Sequence, residues 1–168
     1  KNILLPNGKM IYITGVGYNG IGELKKDENI TESDINHARD LAKLGILNNE
    51  SDLKFKENKW IYHGDAIDIA FLALGYKFNV KSENKVLEKI AYESKLKYSS
   101  VVYEDIENDV IIKMSTVKGA VERILEFCDT MIDGDNITNL DYNKIISQAD
   151  DLSSQGFRVI GLAKGKID

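Results

Sequence analysis

The sequence predicts an α+β fold, an antiparallel β-sheet flanked by helices. Two observations carry that expectation. The β-rich runs YSSVVYED (98–105) and DVIIKMSTV (109–117) are separated only by the acidic turn Ile106-Glu107-Asn108 and so read as a hairpin. The helical patterns fall in separate blocks instead of alternating one-to-one with strands, which argues against a βαβ arrangement.

Taken in order, KMIYIT (9–14) has the β-branched and aromatic content of a strand. TESDINHARDLAKLG (31–45) reads as a helix, capped by Thr31 or Ser33, with Ile35, Ala38, Leu41 and Ala42 as its apolar stripe and Gly45 as its stop. KWIYHG (59–64) is a short strand leading into DAIDIAFLALGYK (65–77), where Ile67, Ala70, Phe71 and Leu74 recur at helical spacing. ENKVLEK (83–89) reads as a shorter helix. After the hairpin and the segment KGAVERILEFC (118–128), DYNKIISQADDLSSQG (141–156) is a helix ended by Gly156. FRVIGLA (157–163) is a final strand.

The length suits one domain with a substantial core, and no Pro/Gly/Ser linker or internal repeat divides it. With 43% hydrophobic and 29% charged residues the chain is globular in type. A net charge of −5 disfavours a broad grip on nucleic acid or an anionic membrane, so an anionic ligand needs a local cluster of Lys and Arg. The lone Cys128 excludes an internal disulfide and fits a reducing compartment. The most apolar stretch, IAFLALGY (69–76), is far shorter than the ~20 residues of a membrane helix. The chain opens on Lys1 instead of Met, as expected of a piece of something longer.

YITGVGYNGIG (12–22) contains the spacing Gly15-x-Gly17-x-x-Gly20. A dinucleotide fingerprint needs its third glycine to open a helix whose N-terminus receives the pyrophosphate. Here IGELKKDENITE follows, with no apolar helical stripe until Ile35, so Gly15, Gly17, Gly20 and Gly22 read as positive-φ residues of a bulged hairpin. A Walker phosphate loop is absent, and His37, His63 and Cys128 make no metal-ligand spacing.

Four further segments, GDAIDIAFLALGYK (64–77), YESKLKYSSVVYE (92–104), VKGAVERILEFC (117–128) and GFRVIGLAKG (156–165), occur in the order of family motifs. Those motifs read approximately G-D-P-T-E-x-A-L, F-S-S-x-R-K-x-M-S-V, K-G-A-P-E-x-[IV]-[IL]-x-x-C and [GL]-x-R-V-[LI]-x-[LV]-A. Together they resemble the nucleotide-binding domain of P-type cation-transporting ATPases. YITGVGYNGIGEL is similar to a glycine-containing strand and turn of the calcium-pump-like branch. The resemblance implies a domain inserted in the phosphorylation domain, on the cytoplasmic side, of a much larger membrane pump. Such a domain holds ATP and presents its γ-phosphate to an aspartate in a D-K-T-G-T motif, which this chain lacks. Cation transport, Ca2+ in that branch, would be driven by the whole pump. Phosphorylation and actuator domains would be its partners, Mg2+ would be bound in the full-length pump and not by this domain alone, and the piece would be monomeric with no turnover of its own.

By that resemblance Tyr92 matches the aromatic that stacks on adenine. Lys97 and Lys118 match the two pocket lysines, Arg158 the polyphosphate arginine, and Asp68 the acceptor for the adenine amino group, usually Glu. Ser94 stands where Arg or Ser is frequent, and Gly119 leaves room for a ligand beside Lys118. Val121 replaces the Pro of K-G-A-P-E and Ser99 a usual Met, departures that imply weak binding, high micromolar to millimolar or about −4 to −6 kcal/mol. From the residues alone, two other readings stand: an interaction module with ordinary surface lysines, and an oxidoreductase built on the glycine pattern.

Overall fold

The structure, a computed structural model, describes residues 1–168. They cluster as two compact units, one of Lys1–Leu5 and Lys9–Glu83, the other of Pro6–Gly8 and Asn84–Asp168. Every strand pairing in both is antiparallel.

In the first unit β1 (Asn2–Leu4), β2 (Met10–Ile13) and β3 (Leu24–Lys25) form one sheet in that order. The glycine-rich stretch is the connection between β2 and β3, with Ile13 opposite Leu24, so it is a hairpin as its surroundings predict. Gly15 has φ +91° and Gly17 +82°, which glycine reaches without strain. Gly20 differs from the expectation: it is absent from the positive-φ positions, and its role is space, because a Cβ there would lie 2.7 Å from the Trp60 ring and from Tyr76 Cβ.

Helix α1 (Glu32–Leu47) starts on a capping box in which Asp34 N–H donates to Thr31 Oγ1 at 3.2 Å and Thr31 N–H donates to Asp34 Oδ2 at 2.8 Å. Lys9 Nζ donates to the same Asp34 oxygen at 2.7 Å. Asp34 has no exposed surface. Burial works to raise its pKa, but the bonds from Lys9 and Thr31 outweigh it and pull the carboxyl down to about 2. The helix runs past the predicted stop. Gly45 lies inside it because a side chain there would collide with the Phe71 ring. A hairpin of β4 (Asp52–Lys56) and β5 (Lys59–His63) follows, turning on Glu57 and Asn58, both at positive φ. Helix α2 (Ala66–Phe78) is capped by Asp65, whose carboxylate accepts from Ile67 N–H at 2.8 Å. It is buried deepest at Ile69 and Ala73, which join Leu53 in a cluster with Trp60, Tyr18 and Leu72. The predicted stripe of Ile67, Ala70 and Phe71 is only half-buried.

The second unit begins with a correction. Residues predicted as a helix over 83–89 enter a strand, β6 (Val86–Glu93), because Val86 pairs with Tyr103 and Lys89 with Val101 on β7 (Tyr98–Glu107). Asn84 Nδ2 also donates to Glu104 O at 2.9 Å, and partner strands of this kind override local propensity. β8 (Val110–Gly119) completes the expected hairpin, with its turn at Asn108 and Asp109, both at positive φ, one register later than predicted. A short helix α3 (Val121–Leu125) is followed by a small hairpin of β9 (Thr130–Asp133) and β10 (Asn136–Asn139) that the sequence pattern did not signal. Helix α4 (Tyr142–Ser154) ends where Gly156 N–H donates to Ser153 O at 2.9 Å and Phe157 N–H to Leu152 O at 3.1 Å. That closing turn takes up Phe157, so the last strand, β11 (Gly161–Lys166), starts later than the predicted residue 157. The four long strands form one sheet in the order β11-β8-β7-β6. Val101, Tyr103, Met114 and Thr116 are buried along its two central strands.

Candidate functional site

One end of the four-stranded sheet gathers most of the predicted positions. β6 ends there at Glu93, which pairs with Tyr98 at the start of β7. Tyr98 pairs with Gly119 at the end of β8, and Gly119 pairs with Gly161 at the start of β11. Tyr92, one residue before Glu93, therefore falls at the level of Ser99, which pairs with Lys118. Two strand spacings separate Tyr92 from Lys118, about 10 Å in the plane of the sheet. An irregularity in pairing between Ile90 and Glu93 frees the Tyr92 backbone from strict register, and bulges of this type re-aim side chains.

These residues differ in exposure. Tyr92 is 56% exposed, so its ring has a face open to solvent. Lys118 is only 6% exposed, on the strand face it shares with buried Thr116 and Met114. Ser94 and Lys97 belong to the connection between β6 and β7. There Leu96 and Lys97 N–H groups both donate to Glu93 O, at 3.0 and 2.8 Å, and Lys97 adopts φ +61°. Arg158 lies exposed in the segment leading from α4 to β11, three residues before the Gly161–Gly119 pair.

Gly119 has a different purpose from the one its sequence context implies. The space beside its α-carbon is filled by protein, because a Cβ would collide with Lys97 O and lie 2.7 Å from Tyr98 Cα. Ala120 N–H donates to that same Lys97 carbonyl at 3.1 Å. Gly119 thus lets the Lys97 turn dock onto the β8–α3 junction, which ties two of the predicted cations to one piece of backbone.

Asp68 belongs to the first unit. On the first turn of α2 its Oδ2 accepts from Glu50 N–H at 2.9 Å, while its carbonyl accepts from Asn49 Nδ2 at 2.8 Å. Both bonds hold the stretch that leads into β4.

Glu122 has no expected role in the sequence reading, although it lies within KGAVERILEFC (118–128). Its carboxylate is 3.9 Å from Lys97 Nζ. The next residue, Arg123, is turned elsewhere: it pairs with Glu126 and lies over the rings of Tyr98 and Phe127, 5.4 and 5.1 Å from their centroids. At the end of α3 Cys128 Sγ donates to Ile124 O at 3.3 Å, and burial, with Asp129 nearby, pushes its thiol pKa up. A raised pKa keeps this thiol protonated and poorly nucleophilic.

The family model described as P-type ATPase, cytoplasmic domain N, matches residues 37–168, well over half of the chain. The chain belongs to the P-type cation-transporting ATPases. Within that family it is 33% identical over 66% of its length to a sodium/potassium exporting P-type ATPase of Schizosaccharomyces pombe, of which it spans 11%. It is 26% identical over 96% of its length to a cation-transporting ATPase of Synechocystis, of which it spans 19%. A sodium/potassium-transporting ATPase alpha subunit of Drosophila melanogaster is 30% identical over 54% of the chain. The chain therefore corresponds to a tenth to a fifth of the P-type ATPases it matches. Its antiparallel sheets with flanking helices fit the cytoplasmic N domain of such a protein. No helix is long and apolar enough to cross a membrane.

Proposed function

We propose that the chain is the ATP-holding domain of a cation-transporting P-type pump. The observation that carries this reading is the convergence of Tyr92, Ser94, Lys97, Lys118 and Gly119 on one end of a single sheet, with Arg158 in the segment that leads into the adjoining strand. In this reading the Tyr92 ring stacks on adenine, a contact of the kind worth ~1–3 kcal/mol per base in single-strand binders. Lys97 and Lys118 lie along the adenosine and phosphates as compact cations, and the Arg158 fork takes phosphate oxygens in pairs. Ser94 offers a hydroxyl beside them. The role of Asp68 rests on the family resemblance alone.

The chemical step lies outside the chain. In the whole pump the γ-phosphate would pass to an aspartate of a phosphorylation domain, where Mg2+ would supply charge neutralisation. This chain binds and orients, and supplies no catalytic group. The parent protein would be an integral membrane pump with this domain on its cytoplasmic side and an actuator domain as a further partner. The glycine-turn similarity favours Ca2+ as its cargo, whereas two of the relatives carry sodium/potassium in their names.

A chemical-shift titration of the 168-residue chain tests the reading. ATP, ADP and AMP should each give saturable shifts centred on Tyr92, Lys97, Lys118 and Arg158, with dissociation constants of roughly 0.05 to 1 mM. Tyr92→Ala should weaken ATP at least about fivefold, the lower end of a lost stacking contact. If Tyr92→Ala and Lys118→Ala both leave ATP affinity untouched, the site assignment is wrong.

A further inference from the structure

We propose that Glu122 is a specificity-determining residue of this site: its carboxylate competes with nucleotide phosphate for Lys97 and so holds down the affinity for polyphosphates. The inference rests on the nucleotide reading above. Its foundation is geometric. The Lys97 backbone is tied at both of its polar groups: its carbonyl accepts from Ala120 N–H and its N–H donates to Glu93 O. Glu122, two residues beyond Ala120 on the first turn of α3, is therefore carried on the same rigid junction as its partner. The 3.9 Å separation and the exposure of both side chains, 59% for Lys97 and 58% for Glu122, describe a loose pair that an anion can displace.

No other charge on α3 competes for the role. Arg123 is held by Glu126 and by the Tyr98 and Phe127 rings. A phosphate chain approaching Lys97 thus meets one carboxylate on that helix. A triphosphate draws on the Lys97 charge more strongly than a monophosphate does, so a Lys97 held by Glu122 weighs more on the triphosphate.

Titrating ATP and AMP into the chain and its variants decides the matter. Glu122→Gln should tighten ATP about fivefold and AMP less than twofold, as expected when Lys97 is released from its carboxylate partner. The gain should vanish when Lys97→Gln is also present, as expected of two groups in direct contact. Thermal unfolding should stay within about 2 °C of the parent, which separates the effect from a change of fold. If the parent binds no adenine nucleotide, both the nucleotide reading and this inference fall. If it binds ATP with shifts at Tyr92 but Glu122→Gln alters ATP and AMP alike, or the gain survives in the Lys97→Gln background, only the role of Glu122 is overturned.

Discussion

Two lysine–carboxylate pairs in this protein have opposite characters. Lys9 and Asp34 meet at 2.7 Å, and the carboxylate is wholly buried and shared with the Thr31 capping box. Lys97 and Glu122 stand 3.9 Å apart with both side chains largely in solvent. Removing one member of the first pair leaves an uncompensated buried group, whereas the second gains little Coulomb energy and is readily exchanged. The difference separates a contact that maintains a fold from one that is free to respond to a ligand.

The strongest way to break the comparison is at Asp34. Asp34→Ala removes the ion pair and the reciprocal cap together and should cost about 3 kcal/mol, read as a fall in the urea midpoint. Its acid dependence follows from the depressed carboxyl. A folded pKa of about 2 lies below the ordinary 3.8, so the contribution is fully present above about pH 4 and is lost as pH falls toward 2. That shift corresponds to about 2 kcal/mol, and the slope should be missing from an Asp34→Asn variant.

Gly119→Ala comes next. It forces a methyl group against Lys97 O and should destabilise by about 2 kcal/mol, in the range of overpacking substitutions. It should also shift the backbone resonances of residues 94–97, which a purely ligand-facing glycine would leave in place. The smallest effect belongs to the exposed pair. Glu122→Gln should change unfolding free energy by less than about 0.5 kcal/mol. A larger loss would show Glu122 to be as structural as Asp34 and erase the contrast.

What was legible in the sequence followed local chemistry. Thr31 as a cap, the apolar spacing of 65–77, and the closely spaced runs around Asn108 announce a helix start, a helix and a hairpin through side chains adjacent in the chain. The readings that failed depend on partners far away in sequence. Val86–Glu93 is a strand because of β7, Gly45 is a packing site because of Phe71, and Gly119 opens space for a carbonyl twenty-two residues earlier in the chain. At the candidate site, the family resemblance, and not the residues by themselves, pointed to Tyr92, Lys97, Lys118 and Arg158. The carboxylate beside Lys97 was invisible, because an acidic residue at a helix start has an ordinary explanation in the helix dipole.

The glycines of the two long helices in the first unit carry a last consequence. Gly45 on α1 makes way for Phe71 on α2, and Gly75 on α2 makes way for Ile46 on α1, whose Cδ1 would be 2.5 Å from an added methyl. Each helix therefore holds a notch filled by a projection of the other. Positions 45 and 71, and likewise 75 and 46, are not free to vary one at a time. A related chain with alanine at position 45 should carry a smaller side chain at 71, and an engineer who enlarges one partner must trim the other in the same step.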